Sequence, residues 1–444
     1  MIRNALPNTD YQWTQFIVLS WWLCFGPILS IAAADQSIRE VIPPVGGKSE
    51  TAKDLQAGPP SSATSLPQLP EALAHQVALD EDRLDRVLTQ QDPVDVAKSQ
   101  ILLQEAQALL QVRMQYQGNQ WWQTADARQR LANMRQWLTF TATQRVELAE
   151  AAELRWQMGR LYREGRYREA LVQATKRLEI ELRNWGEAHL ASGTSLNNLA
   201  ELYHAQGMYA QAGPLFERAL EIFEKALGPK HPSTAAILKN MAQLYHAQGA
   251  YAQALPLLER AVAIHEQAMG PEHPNTAMSL NNLAELYRVQ GANAQALPLF
   301  ERALGIFEKT LGPEDPNTVA NLNNLALLYQ AQGAFARTGP LFERALAITE
   351  KTLGPNHPTT AMSLNNLAEL YRAQGAYAQA GPLLERALAI TEKTLGPNHP
   401  TTAMSLNNLA SLYRAQGAYA QAGPLFERAL AIHEQTLGPE HPNT

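Results

Sequence analysis

An all-α solenoid is the fold class this sequence predicts. Three observations lead there: a 42-residue period, two helix-spaced apolar blocks in each period, and glycine at fixed places between them. The period is plain in the motif Leu-Gly-Pro-x-His-Pro and its close variants, which places Gly228, Gly270, Gly312, Gly354, Gly396 and Gly438 in register. A repeat of this length marks a stacked supersecondary unit. At 444 residues the chain is too long for one ordinary core, which also favours an array.

Each period divides into two amphipathic helices. Leu196, Leu199, Ala200 and Tyr203 follow helical spacing, and so do Tyr209, Ala212, Phe216, Ala219 and Leu220. Between the blocks stand Gly207, Gly249, Gly291, Gly333, Gly375 and Gly417, where a helix C-terminus needs a left-handed residue before the chain reverses. The second helix is expected to end at Leu227-Gly228-Pro229. Pro232 with Ser233-Thr234, and Asn275, Asn317, Thr359 and Thr401 later, are expected to cap the next first helix. Ala200 and Ala212 let the paired helices approach closely, while Tyr203, Tyr209 and Phe216 fill the space around them. Pro214, Pro256, Pro298, Pro340, Pro382 and Pro424 fall inside the second helices, and a local bend is expected there.

Ahead of the array the chain changes character. Residues 1–34 read as a signal peptide: Arg3, an apolar run from Phe16 to Ile31, then Ala32-Ala33-Ala34 as a small-residue cleavage pattern. The alternative is a membrane anchor over residues 16–34. The only cysteine, Cys24, lies within the run, so cleavage leaves no disulfide or thiol chemistry. Residues 35–70 hold Pro43-Pro44, Gly46-Gly47 and Pro59-Pro60 with little apolar periodicity and are expected to be a disordered linker. A helical leader region follows over 71–143, with Trp121, Trp122 and Trp137 as packing anchors.

The patterns Leu-x-x-Leu-Ala-x-x-Tyr, Gly-x-Tyr-x-x-Ala and Phe-x-x-Ala-Leu resemble the tetratricopeptide repeat. With Leu-Asn-Asn-Leu-Ala and Leu-Gly-Pro-x-His-Pro, the unit is similar to the kinesin light chain type, in a bacterial exported variety. The resemblance covers six repeats over 186–444, ending at the start of a seventh, with a degenerate repeat at 144–185. It implies a right-handed superhelix whose first helices line the concave face. The stretch Trp122-Gln123-Thr124-Ala125-Asp126-Ala127-Arg128 resembles the leader of large bacterial repeat proteins that often end in a CHAT peptidase domain.

The resemblance places a peptide-binding groove on Asn197, Asn198, Asn240, Asn281, Asn282, Asn323, Asn324, Asn365, Asn366, Asn407 and Asn408, with Lys239 among them. An amide donates and accepts at once, which suits an extended peptide backbone. The alternative is that these amides satisfy groups of neighbouring helices. The row His204, His246, Arg288, Gln330, Arg372 and Arg414 adds donors and positive charge that an acidic ligand would meet, unless Glu201, Glu285 and Glu369 pair with it within the helix. The loop histidines His231, His273, His357, His399 and His441 stand one per repeat, roughly 10 Å apart, so loop packing is expected and a shared metal is not. Glu-Arg pairs such as Glu217-Arg218 read as outer-face charges.

No catalytic constellation, cofactor motif or metal spacing emerges, and a net charge of -6 with both signs interspersed argues against nucleic acid. The expected function is a non-catalytic scaffold for a protein or peptide, exported to the periplasm or secreted, with membrane contact only if residues 1–34 stay attached. Two alternatives are the sensor arm of a longer protein carrying a C-terminal effector, and end-to-end self-assembly through an uncapped C-terminal hairpin. N-terminal sequencing of the exported protein should give Asp35 as the first residue. Recovery of Met1 in the membrane fraction would instead establish the anchor.

Overall fold

The computed structural model describes residues 96–118 and 121–437. The expectations for residues 1–34, for 35–70, for the first part of the leader and for 438–444 with His441 lie outside the described residues. Sixteen α-helices and no strand make up the described residues. The leader contributes α1 (Val96–Gln117) and α2 (Trp122–Thr139), and α3 (Ala142–Arg163) and α4 (Tyr167–Trp185) form the first hairpin. Six hairpins follow: α5 (Leu190–Ala205) with α6 (Tyr209–Leu227), α7 (Pro232–Ala247) with α8 (Tyr251–Met269), and α9 (Pro274–Val289) with α10 (Asn293–Thr310). The last three are α11 (Pro316–Ala331) with α12 (Phe335–Thr352), α13 (Pro358–Ala373) with α14 (Tyr377–Thr394), and α15 (Pro400–Ala415) with α16 (Tyr419–Thr436). Each second helix packs on its own first helix and on the first helix of the following repeat.

The turn inside each hairpin is a Schellman motif. In the first repeat of the set the Met208 amide donates to Tyr203 O at 2.8 Å and the Gly207 amide to His204 O at 2.9 Å, with Gly207 at φ 68°. The loop between repeats uses glycine differently: Gly228 adopts φ 100° and ψ 157°, an extended mirror region open essentially to glycine alone.

The caps lie two residues earlier than the sequence suggests. The N-cap of α7 is His231, whose Nδ1 accepts from the Ser233 amide at 3.1 Å; His189, His273, His357 and His399 do the same for α5, α9, α13 and α15. Asp315 fills the role for α11, accepting from the Asn317 amide at 2.8 Å. Thr234, expected as a cap, instead locks the loop, and the threonine at the same position of the later repeats does the same. Thr234, Thr276, Thr318, Thr360 and Thr402 donate Oγ1 to the carbonyls of Gly228, Gly270, Gly312, Gly354 and Gly396 at 2.7–2.9 Å.

Burial follows the expected pattern. Ala200 and Ala212 are 0% exposed, and Phe216, Phe300 and Phe342 are at most 1% exposed, each wedged between successive hairpins. Truncating such a phenylalanine to alanine costs about 3–5 kcal/mol. The helices run through Pro214 and its equivalents without ending, because each proline faces solvent and the carbonyl it leaves unbonded can be hydrated.

The Glu-Arg pairs do more than decorate the outer face. Arg260 reaches back to Glu224 of the preceding second helix at 2.6 Å and to Pro229 O at 3.0 Å, and Arg302, Arg344, Arg386 and Arg428 repeat the ion pair. Arg218 pairs instead with Glu187 at 2.8 Å. In the leader, Trp137 is buried, and Trp122 donates its indole N–H to Ala268 O at 2.9 Å. No described helix is long and apolar enough to cross a membrane.

A histidine cap accepts a hydrogen bond only while Nδ1 is unprotonated. Burial lowers the pKa of His189 to about 4 and lowers those of His273, His357 and His399. At these sites the unfolded chain therefore binds more protons than the folded one below about pH 6.5, down to about pH 4 for His189, so stability present above about pH 6.5 is lost as pH falls. Urea unfolding at pH 7.5 and 4.5 should show a lower midpoint at acid pH. Replacing His273, His357 and His399 by Asp, as nature does at 315, should flatten that difference.

Candidate binding face on the first helices

The asparagine column is an inter-repeat ladder. The second asparagine of one repeat donates Nδ2 to Oδ1 of the first asparagine in the repeat before: Asn240 to Asn197 at 3.0 Å, Asn324 to Asn281 at 3.1 Å, and Asn366 to Asn323 at 3.2 Å. All six side chains are buried. Asn281 also accepts from Asn321 at 3.0 Å, and Asn365 donates to Ser405 at 3.3 Å, so the serine position takes part in the same ladder.

The ladder is interrupted at two junctions: between Asn365 and Asn408, where both amides are present but Asn365 Oδ1 is buried without a hydrogen-bond partner among the described residues, and where the sequence departs from the pair. Lys239 occupies the first position in α7, so Asn282 in α9 has no amide oxygen to meet and is half-buried without a side-chain partner among the described residues. Asn198, Asn407 and Asn408 likewise have no side-chain hydrogen bond to a described residue. The groove set thus divides into locked amides and open ones. Below the first rung sits Glu201, which accepts from Asn197 at 3.0 Å and from Asn240. Burial raises its pKa to about 7 against the pull of Lys239 and the two amides.

The cationic row is less positive than its composition suggests. Arg288 binds Glu285 through Nε at 2.7 Å and Nη2 at 2.5 Å, both residues buried, and Arg372 holds Glu369 in the same way at 2.7 and 2.5 Å. Of the two readings of this row, pairing within the helix describes both arginines. Arg414 has Ser411 where the glutamate would be, and its guanidinium lies over the Phe426 ring, 5.7 Å from the centroid. His204 and His246 stand against Tyr209 and Tyr251 at 5.7 and 5.5 Å. The pKa of His246 falls to about 4, chiefly through burial and then through Arg288 and His204. Among the described residues no cluster of three or more metal-ligating side chains occurs.

Sequence reasoning missed the histidine caps and the inter-repeat arginines. A signal for the caps was present: Asp315 replaces histidine at one repeat, and aspartate is a strong N-cap residue.

The ladder predicts a gain of stability. Lys239→Asn supplies the missing acceptor for Asn282 and should raise the thermal midpoint at pH 6, where Glu201 is largely protonated. Asn366→Ala should lose about 1 kcal/mol. Thermal and urea melts of the two variants check this, and equal destabilisation by both would remove the ladder.

Residues 192–267, 246–309, 276–337, 318–393, 364–435 and 402–444 match the family model described as Tetratricopeptide repeat. Nearly identical repeats from a kinesin light chain of Podosopora anserina are 36% identical over 46% of this chain and 98% of theirs, at a TM-score of 0.39. BtubC (BKLC) from P. vanneervenii is 22% identical over 54% of this chain and 94% of its own, at 0.41. A Rap protein complexed with Competence and Sporulation Factor is 14% identical over 82% of this chain and 99% of its own, at 0.51. A search of curated proteins finds no match. Contiguous family matches from residue 192 to 444 span more than half of the sequence, and the chain belongs to the tetratricopeptide repeat family.

Proposed function

We propose that the chain is a non-catalytic scaffold that holds an extended peptide or protein segment along the first helices. The observation that carries this reading is the division of the asparagine column. Locked rungs fix the spacing of the helices, and the open amides of Asn282, Asn408, Asn407 and Asn198 stand in the same column with donors and acceptors unspent. A peptide backbone alternates the complementary groups. Fold likeness to a Rap protein solved with Competence and Sporulation Factor is in keeping with a ligand on such an array. Arg414, which has no carboxylate partner among the described residues, is the member of the cationic row open to an acidic ligand group. We propose export as the setting, on the pattern of residues 1–34.

The test uses peptides selected by display on the full chain. Asn282→Ala leaves the ladder intact and should weaken the selected peptides about fivefold, the equivalent of about 1 kcal/mol. Asn282→Ala, Asn407→Ala and Asn408→Ala together should abolish binding while far-UV circular dichroism keeps its helical signal. Unchanged affinity in the triple variant would take the first-helix face out of the mechanism.

A further inference from the structure

The capping histidines have a second face. Because Nδ1 accepts the amide N–H at the helix start, the ring proton sits on Nε2. Three of these Nε2 atoms stand against an oxygen at the loop edge of the array, those of His189 and His399 in hydrogen bonds and that of His231 by proximity to a carboxylate. His189 Nε2 lies 2.8 Å from Asn133 Oδ1, His231 Nε2 lies 3.2 Å from Asp126 Oδ1, and His399 Nε2 lies 3.0 Å from Arg163 O in the turn of the first hairpin.

Asn133 and Asp126 are seven residues apart on α2. Two helical turns rise about 10.5 Å, close to the roughly 10 Å between packed helices, so a straight helix can place one side chain on each successive repeat. The leader helix uses that match. It is anchored further by Trp122, whose ring meets His231 edge-on at 5.8 Å and whose N–H bonds Ala268 O just before the next cap. Beyond that point the same edge continues through His273, Asp315 and His357. All three keep their cap bonds; Asp315 Oδ1 also accepts from Asn317 Nδ2 at 2.9 Å, and no hydrogen-bond partner for Nε2 of His273 or His357 occurs among the described residues.

We propose that the loop edge at His273, Asp315 and His357 is a docking track for a helix of a partner protein, continuous with the line along which α2 is seated. The partner helix carries hydrogen-bond acceptors seven residues to either side of a lysine or arginine. Its outer two side chains take the Nε2 protons of His273 and His357, and its central cation meets the Asp315 carboxylate. The track lies on the inter-repeat loops and is independent of the asparagine face.

A fluorescein-labelled alanine-based helix with asparagine seven residues before and after a central lysine serves as the probe, and a control peptide carries the same residues six apart. Fluorescence anisotropy with the full chain should show the heptad probe binding at least tenfold tighter than the control. His273→Asp with His357→Asp keeps the caps, as Asp315 demonstrates, but turns two donors into acceptors. It should weaken the asparagine probe at least tenfold and favour a version with lysine at all three positions, with circular dichroism unchanged. Equal binding of the two spacings, no binding of either, or indifference to the histidine exchange would overturn the proposal.

Discussion

Every part of this molecule depends on the fact that a single hairpin cannot bury both of its apolar faces. The second helix of each repeat must be covered by the first helix of the next, and that cover recurs at every junction. Phe216, Phe300 and Phe342, none more than 1% exposed, fill the junction. Alanines at 0% exposure, such as Ala200 and Ala212, keep the paired helices close enough for that wedge to fit. A residue too large at an alanine position would propagate its error into the next repeat, since each hairpin is positioned by its neighbour.

Apolar contact alone tolerates sliding, and the polar contacts remove that freedom. Amides paired from Asn324 to Asn281 meet in one register only, and the Arg260 bond to both Glu224 and Pro229 O fixes the second helices in the same register on the other side. The threonine to glycine-carbonyl bonds hold the loops between them. Each of these bonds is worth only on the order of 1 kcal/mol, so cohesion comes from burial and alignment from polarity. The interruption at Lys239 is tolerated for that reason: it removes a register mark without opening the core.

The period, the hairpins, the alanine approach and the glycine turns were legible in the sequence because each depends on neighbours within one helix or one turn. Contacts between repeats were not. The Asn324–Asn281 and Arg260–Glu224 bonds link residues about one period apart, and which atoms meet depends on the pitch and rotation between hairpins, which spacing does not specify. Asn197 and Asn198 look alike in sequence, yet only Asn197 is bonded. The histidine caps were hidden for another reason. Histidine is an uncommon N-cap, and the threonine two or three residues later is a common one, so propensity pointed to the wrong residue.

The two near-identical repeats at 353–394 and 395–436 show how such an array can change its surface without changing its fold. They differ at Glu369/Ser411, Leu384/Phe426, Thr391/His433 and Lys393/Gln435. The capping histidine, both glycines, the buried alanines and both asparagines are the same in the two, as the junction requires. What changes is charge on the first helix: with Glu369 the arginine three residues on is held in an ion pair, and with Ser411 the corresponding Arg414 lies over Phe426 instead. The exchange alters the electrostatics of one repeat's binding face while the cap, the turn and the alanine contact stay as they were. Junction positions answer to the next hairpin and are fixed by it, whereas the face positions that no neighbour locks are free to answer to a ligand.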